Sequence, residues 1–494
     1  TVTNRTLWFA SEAKAFLALP GFRAGLDPRG MDQLFTFWST VEPRTVWAGV
    51  ETLPRACVRI VEPGRDVTRR YWRLDFGAAR PGGATPGETR TAVETLTALL
   101  ADSVRIRLRA DVPVAAFLSG GVDSSLIAGL ARRTAGPQLQ TFSVRFEDPA
   151  YDEGSHQWAV AEKLGTAHAE ITCTAGDIGA LLPAVVRHAE QPLVRTAPAP
   201  LFCLAGLVRA RGIKVVLTGE GADELLGGYD LFREMKIRRF WARRPESRLR
   251  AALLRRLYPA WPEYRRVLPA YLEAFYRQRL SATDSPAYAH LPRWDTTAWS
   301  KRFFSETWRD SLRGYDAVET YLAGLPGDFA RWEPLAQAQY IEIDTLLAGQ
   351  LLSVQGDRMV MAHGVESRPA FLDHRVVEYC ATLPAKLRLR GLREKPLLKE
   401  VARPFVPDTV FRRPKQAYRA PDSASLAGAG RPGFVDDLLA PGALGAAGFF
   451  DPAAVRPFLA KCLRAGAVTS TRENIALVGL VTSMLWARAF SGGR

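Results

Sequence analysis

Cysteine is scarce in this chain of 494 residues: Cys57, Cys173, Cys203, Cys380 and Cys462 are scattered and odd in number. That pattern excludes a disulfide framework and a zinc-type ligand set, and it reads as reduced thiols held mostly in a core. The histidines show no metal spacing either, so His363 and His374 read as structural. No stretch of about 18 apolar residues occurs, so no spanning helix and no membrane partner is expected. The opening residues Thr1 to Thr6 carry no signal-peptide pattern, and a cytoplasmic location is expected. Lysine is also rare, ten residues against 56 arginines. The net charge of +15 invites a nucleic-acid reading. An arginine excess beside abundant alanine is equally what a GC-rich coding bias gives, so nucleic acid is not the expected partner. The densest basic run, Arg238 to Arg244 and on to Arg256, has the spacing of a solvated helix face.

What the chain does have is one conspicuous turn, Leu118-Ser119-Gly120-Gly121-Val122-Asp123-Ser124-Ser125. An apolar run from Val112 leads in and a helix-like run leads out. Strand, glycine turn and helix start together make an anion cradle, because adjacent glycines let the backbone approach and the helix start points free N–H groups at the ligand. The hydroxyls of Ser119, Ser124 and Ser125 add donors. Asp123 repels phosphate, so it reads as a ligand for a divalent metal that bridges to the phosphates. A bare Gly-Gly would be an ordinary turn; this combination on a buried strand favours the functional reading.

Residues 1 to about 90 read as β-rich with short helices. Arg5 to Ala10 is expected as a strand, with Ser11 capping a helix from Glu12 to Leu19. Arg44 to Trp47, Ala56 to Val61 and Val67 to Trp72 are expected strands, the last two joined by a turn at Pro63-Gly64. The Gly/Pro-rich stretch from Gly77 to Gly87 is the expected boundary between residues 1–88 and residues 89–494, followed by a helix from about Thr91 to Leu108. Strands at Val112 to Leu118, Gln140 to Phe146, Ala167 to Thr172 and Lys214 to Leu217 alternate with helices at Gly154 to Leu164, Asp177 to Ala189 and Pro200 to Arg211. The expected fold class is therefore α/β, a parallel sheet with helices on both faces and ligands beyond the C-terminal strand ends. A second loop, Thr218-Gly219-Glu220-Gly221-Ala222-Asp223-Glu224, directly follows the Lys214 strand. Its three carboxylates need a cation or proton chemistry to justify them. Residues 229 to 494 read as mainly helical, with 423 to 450 as loop.

Several stretches resemble the asparagine synthetase family. They are Leu7 to Ala15, Pro43 to Val50, Arg70-Tyr71-Trp72, the two glycine loops, Met361 to Arg368, Phe371 to His374, and Arg412 to Asp422 around Lys415. The resemblance implies an ATP pyrophosphatase (adenine nucleotide alpha hydrolase-like) domain with a helical C-terminal region. It also implies that the first segment is the β-rich tail of an N-terminal-nucleophile glutaminase-like domain. The family's nucleophilic cysteine has no counterpart, since the chain begins at Thr1. Either the chain is trimmed or it does not hydrolyse glutamine itself.

The resemblance further implies ATP and Mg2+ as cofactors, with adenylation of a carboxylate, release of pyrophosphate and transfer to nitrogen. Asp123 and Asp223 match metal positions, and Lys415 matches a phosphate-binding lysine. Glu220 matches a glutamate on the nucleophile's path that can accept a proton from ammonia. Leu118 and Val144 match positions flanking adenine, while Thr218 and Gly219 match positions near the adenosine. Arg195 sits where relatives meet the acceptor, either pairing with a substrate carboxylate or lying at the surface. Two departures, Arg145 where the family often has glycine and Pro369-Ala370 where it has Val-Pro, put the substrate in doubt. The expected activity is an ammonia- or glutamine-dependent amide synthetase of specialised metabolism acting on a small-molecule or peptide carboxylate. Alternatives are an intramolecular cyclase of the β-lactam synthetase or lasso-peptide kind, and a tRNA-modifying enzyme. A homodimer is consistent with the resemblance.

Overall fold

The computed structural model describes residues 2–3, 6–80, 82–258, 269–416, 418–428, 430–464 and 470–491. Thr1, Arg5 of the first expected strand, Pro81 of the expected linker and Ala417 beside Lys415 lie outside them. Of the first strand only a two-residue pairing exists, β1 (Val2–Thr3) against β2 (Thr6–Leu7). Helix α1 (Pro28–Phe37), unforeseen in the sequence, starts on Asp27, whose carboxylate accepts from the N–H of Arg29 and Gly30. Arg44 to Trp47 makes only isolated bridges, Leu26 with Trp47 and Arg44 with Glu51. β3 (Cys57–Glu62) and β4 (Arg65–Arg70) form the expected hairpin about Pro63-Gly64.

Helix α2 (Pro86–Arg107) begins earlier than expected. Thr85 and Glu88 form a reciprocal capping box and Pro86 occupies the first turn. The central sheet follows: β5 (Val114–Phe117), α3 (Val122–Ala135), β6 (Gln140–Phe146), α4 (Gly154–Leu164), β7 (Ala167–Cys173), α5 (Ala175–Ala189), α6 (Pro198–Ala210), β8 (Val215–Thr218), α7 (Ala222–Leu226) and α8 (Asp230–Ala242). With a fifth strand, β9 (Glu366–Pro369), the strand order is β7-β6-β5-β8-β9, every pair parallel. Alternation sends Ala115, Phe142 and Val216 to the face packed by α6, and Ala116 and Leu217 to the face packed by α3. Helices thus cover both faces.

The fifth strand was not foreseen in the mainly helical second half. β9 (Glu366–Pro369) pairs beside β8 from Val215 opposite Glu366 to Thr218 opposite Pro369. It has no apolar alternation, and as an edge strand it tolerates its proline. Residues 423–450 are not simply loop either. Helices at Phe434–Leu439 and Pro441–Ala447 bury Val435, Leu438, Leu439 and Leu444. Arg238 is not solvated: it is 1% exposed, with its guanidinium donating to the carbonyls of Tyr276, Gln278, Arg279 and Tyr288. Finally, among the described residues one helix, Thr471–Ser491, is long and apolar enough by length and composition to cross a membrane, with a mean hydropathy of 1.3. It lies largely inside the protein, with Ile475 to Trp486 buried.

The N-terminal segment shares this interior. Met31, Leu34, Phe35 and Trp47 pack in one cluster with Leu477, Val481 and Trp486. Glu190, at positive φ after α5, ties the pieces together. Its carboxylate accepts from the N–H of Ala13 and Lys14, each at 2.9 Å, and pairs with Arg358 at 2.6 Å. Its carbonyl accepts from the indoles of Trp47 at 2.7 Å and Trp486 at 3.0 Å. The expected Ser11 cap is therefore replaced: the 3-10 helix Ala13–Ala18 receives no side-chain cap from its own segment, and Glu190 serves its first N–H groups.

Burial alone would raise the Glu190 carboxyl, but Arg358 and the two N–H donors hold it below its usual range. Glu190→Gln should cost about 1–3 kcal/mol in denaturant unfolding. A depressed folded-state pKa stabilises above the unfolded value. The wild-type advantage should therefore be full above about pH 4.3 and shrink as pH falls below it.

Candidate active site

Two loops leave neighbouring strands, β5 and β8, at the same end of the sheet. The first turns at Gly120, at φ +73°, where an added Cβ would lie 2.9 Å from that of His156. The chain then enters α3. Inside the turn, the Ser119 N–H donates to Ser124 Oγ at 3.0 Å, and the two hydroxyls are 2.9 Å apart. Ser125 is fully buried and donates to the Gly121 carbonyl at 2.6 Å, so its hydroxyl braces the turn. Ser119 remains exposed at the mouth.

The second loop packs directly on the first. Gly219 lies against the start of α3, where a Cβ would stand 2.9 Å from the Ser124 nitrogen. Thr218 ends β8 buried, its hydroxyl without a hydrogen-bond partner. Gly221, at φ +95°, turns the chain into the short α7, which carries Asp223 and Glu224 inward.

The loops converge on an ionic quartet, three of whose four members the sequence reading named. Asp123 and Asp223 are both buried, and both contact Lys395. Lys395 Nζ lies 2.7 and 2.6 Å from the two Asp123 oxygens and 2.5 Å from Asp223 Oδ1. Lys415 Nζ lies 2.6 Å from Asp223 Oδ2 and 3.8 Å from Asp123 Oδ2. Gly228 leaves room for this packing: a Cβ there would stand 1.9 Å from Asp223 Oδ1 and 2.1 Å from Lys395 Cε. Lys395 was missed. Its only signals were the scarcity of lysine and a following proline that starts the helix Pro396–Ala402.

The quartet sets the protonation of its neighbours. Burial is the largest influence on Asp223 and would raise it, but Lys395 and Lys415 hold it below the usual carboxylate range. Burial likewise lowers Lys415, and the aspartates more than reverse this. Glu220 is pushed up to about 7 by burial against the opposing pull of Lys415. Glu224 is pushed up to about 8 by burial and by Asp223 and Glu220, and Tyr229 donates to it at 2.9 Å. A carboxyl poised near neutrality can exchange protons at working pH.

The other expected residues are distributed as follows. Leu118, just past the end of β5, and Val144, within the neighbouring β6, are both buried; the Leu118 carbonyl accepts from Ser143 and the Val144 carbonyl from Gln157. Arg195 is committed elsewhere: Asp422 pairs with it at 2.8 Å and also holds Thr196, and its guanidinium carbon lies 5.5 Å from the Trp38 ring centroid. Arg145 pairs with Asp152 and Glu170. Ala370 is buried, with its carbonyl bound by Ser103 at 2.6 Å. The Lys415 segment is anchored by Arg413, which pairs with Glu153 and donates to Gln416. Among the described residues no group of three or more His, Cys, Asp or Glu forms a metal-binding cluster.

Comparison with known proteins gives two family matches. Residues 95–488 match the model described as asparagine synthase, and residues 1–72 match a glutamine amidotransferase domain. A putative asparagine synthetase (glutamine-hydrolyzing) of Mycobacterium tuberculosis is 33% identical over 422 residues, 83% of this chain and 61% of that protein. Asparagine synthetase (glutamine-hydrolyzing) 1 of Bacillus subtilis is 28% identical over 430 residues, 85% of this chain and 63% of its own length. The amidase chyE of Penicillium rubens is 30% identical over 454 residues, 85% and 65% respectively. The chain thus spans less than two thirds of the length of these relatives.

Gly228→Ala should disrupt the quartet, because its Cβ collides with an aspartate oxygen and a lysine methylene together. The expected outcome is a stability loss of about 1–3 kcal/mol, typical of overpacking, read by thermal unfolding, whereas Gly327→Ala, with open space about its Cβ, should leave stability and the quartet untouched. Equal behaviour of the two variants would contradict the packing described.

Proposed function

The chain belongs to the asparagine synthase family, and from that premise we propose that it activates a carboxylate with ATP and delivers the acyl group to nitrogen, forming an amide. The observation that carries this is the quartet of Asp123, Asp223, Lys395 and Lys415 at the mouth of the glycine turn, with Glu220 beside it. The start of α3, the Ser119 hydroxyl and two ammonium groups suit a polyphosphate, and the buried apolar side chains of Leu118 and Val144 on neighbouring strands suit an adenine ring. A substrate carboxylate oxygen attacks the α-phosphorus of ATP and pyrophosphate leaves. Lys415 stabilises the charge that develops there. The nitrogen nucleophile then attacks the acyl-adenylate carbon, AMP departs, and Glu220 takes the proton that nitrogen sheds.

Mg2+ fits the same place. Two carboxylates converge on one point, each with an oxygen within 2.5–2.7 Å of Lys395 Nζ, and hard oxygens of this kind suit that ion when phosphates and water complete the shell. Asp123 and Asp223 would hold it, and it would supply charge neutralisation for the phosphates.

The match of residues 1–72 to a glutamine amidotransferase domain favours ammonia, released from glutamine, as the nucleophile. The relatives' names favour a carboxylate such as that of aspartate. The departures at Arg145 and Pro369-Ala370 leave room for another acid, consistent with a specialised product. Burial of Arg238 removes a charge from the basic run and weakens the nucleic-acid alternative.

The test is to supply ATP, magnesium, ammonium and a panel of carboxylates beginning with aspartate, and to follow the nucleotide products. AMP and pyrophosphate should appear only with carboxylate; ADP, or AMP without any carboxylate, would sink the reading. Amide formation without ammonia would favour a cyclase. Lys415→Ala should slow turnover by about 100-fold or more, the scale for losing one charge-stabilising donor. With free ammonia held constant, the rate should fall as pH drops below the Glu220 value of about 7, because the base becomes protonated. Glu220→Gln should lose that limb of the profile.

A further inference from the structure

We propose that Lys395 is the internal cation of the two-aspartate site and closes it to free divalent metal, so that metal enters only as its complex with nucleotide. The inference rests on the reading that Asp123 and Asp223 receive the metal of Mg–ATP.

The geometry singles out Lys395 rather than Lys415. Lys395 is 3% exposed and makes three contacts with the aspartate oxygens between 2.5 and 2.7 Å. The Lys415 side chain is 25% exposed and makes one close contact, at 2.6 Å. Lys395 is held in place by its backbone as well as by its charge. It sits at φ +49°, a conformation that side-chain-bearing residues adopt only under constraint, and its carbonyl accepts from the Lys399 N–H at 2.9 Å. The slot for its side chain is floored by Gly228, with no space for a β-carbon. The ammonium therefore occupies the point where the two carboxylates converge.

Charge arithmetic gives the consequence. Two aspartates against two lysines sum to zero. A free divalent cation would add two buried positive charges to a quartet that is already neutral, and would have to displace Lys395 to reach both carboxylates. A metal–ATP complex carries a net charge of about −2. It brings phosphate oxygens that complete the metal's shell and accept the displaced ammonium. Free metal is disfavoured and the complex is favoured by the same four side chains.

The test uses Mn2+ with the whole chain, reading bound ion by its enhancement of water proton relaxation. Without nucleotide, wild type should bind Mn2+ at least tenfold more weakly than in the presence of α,β-methylene-ATP. Lys395→Met should bind Mn2+ alone at least tenfold more tightly than wild type, and Mn2+ should raise its melting temperature but not that of wild type. Lys395→Arg, which keeps the charge, should stay closed. If the methionine variant does not fold, the wild-type titrations still decide. Tight Mn2+ binding by nucleotide-free wild type, lost in Asp123→Asn, overturns this proposal alone. Equal affinity of wild type and Lys395→Met also overturns it. Failure of the analogue to recruit Mn2+ overturns the ATP reading, and this one with it.

Discussion

Two carboxylates cannot share a dry pocket without cations, and the site is arranged around that constraint. Asp123 comes from the first turn of α3 and Asp223 from α7, on loops that leave adjacent parallel strands. Their repulsion is answered by Lys395 and Lys415, 272 and 192 residues further along the chain from Asp123 and Asp223 respectively. The tight packing follows. Gly219 lets the loops touch and Gly228 lets the Lys395 stem pass. Removing one ion from such a cluster strands the others in low dielectric, so the four behave as a unit.

The same economy of contacts joins the N-terminal segment to the rest. Glu190 serves a helix start near residue 13, an arginine at 358 and two tryptophans that meet edge to face with ring centroids 4.9 Å apart. It immediately precedes the stretch Gln191 to Thr196, which Asp422 pins through Arg195 and Thr196. Residues matching the glutamine amidotransferase domain are thus in hydrogen-bond contact with a loop of the synthase-matching part. That loop's arginine is already satisfied by the protein's own carboxylate, which lowers its availability for a substrate.

The parallel sheet was legible because its central strands are short buried runs ending in glycine turns, and ligand loops on such sheets have a fixed place. Both glycine loops could be picked out by residue type and spacing, and Lys415 by the resemblance to the family. Lys395 could not, since a single Glu-Lys-Pro has no periodicity and its partners are brought by tertiary folding. β9 was hidden because Glu366-Ser367-Arg368-Pro369 lacks alternation, and at a sheet edge it does not need it. Arg238 was misread because helical spacing cannot reveal a cage of four carbonyls contributed by the segment around 276–288. The helices at Phe434–Leu439 and Pro441–Ala447 were obscured by glycine and proline, although Val435, Leu438 and Leu439 keep a helical apolar spacing.

The central claim is chemical: the cradle and quartet serve attack of a carboxylate oxygen on the α-phosphorus of ATP. The direct measurement is to label with oxygen-18 both carboxylate oxygens of an acid that supports turnover, and to analyse AMP by mass spectrometry. Adenylation requires one labelled oxygen in each AMP, because the bond that forms to phosphorus survives when nitrogen displaces the nucleotide. Label in inorganic phosphate, or AMP without label, would contradict it.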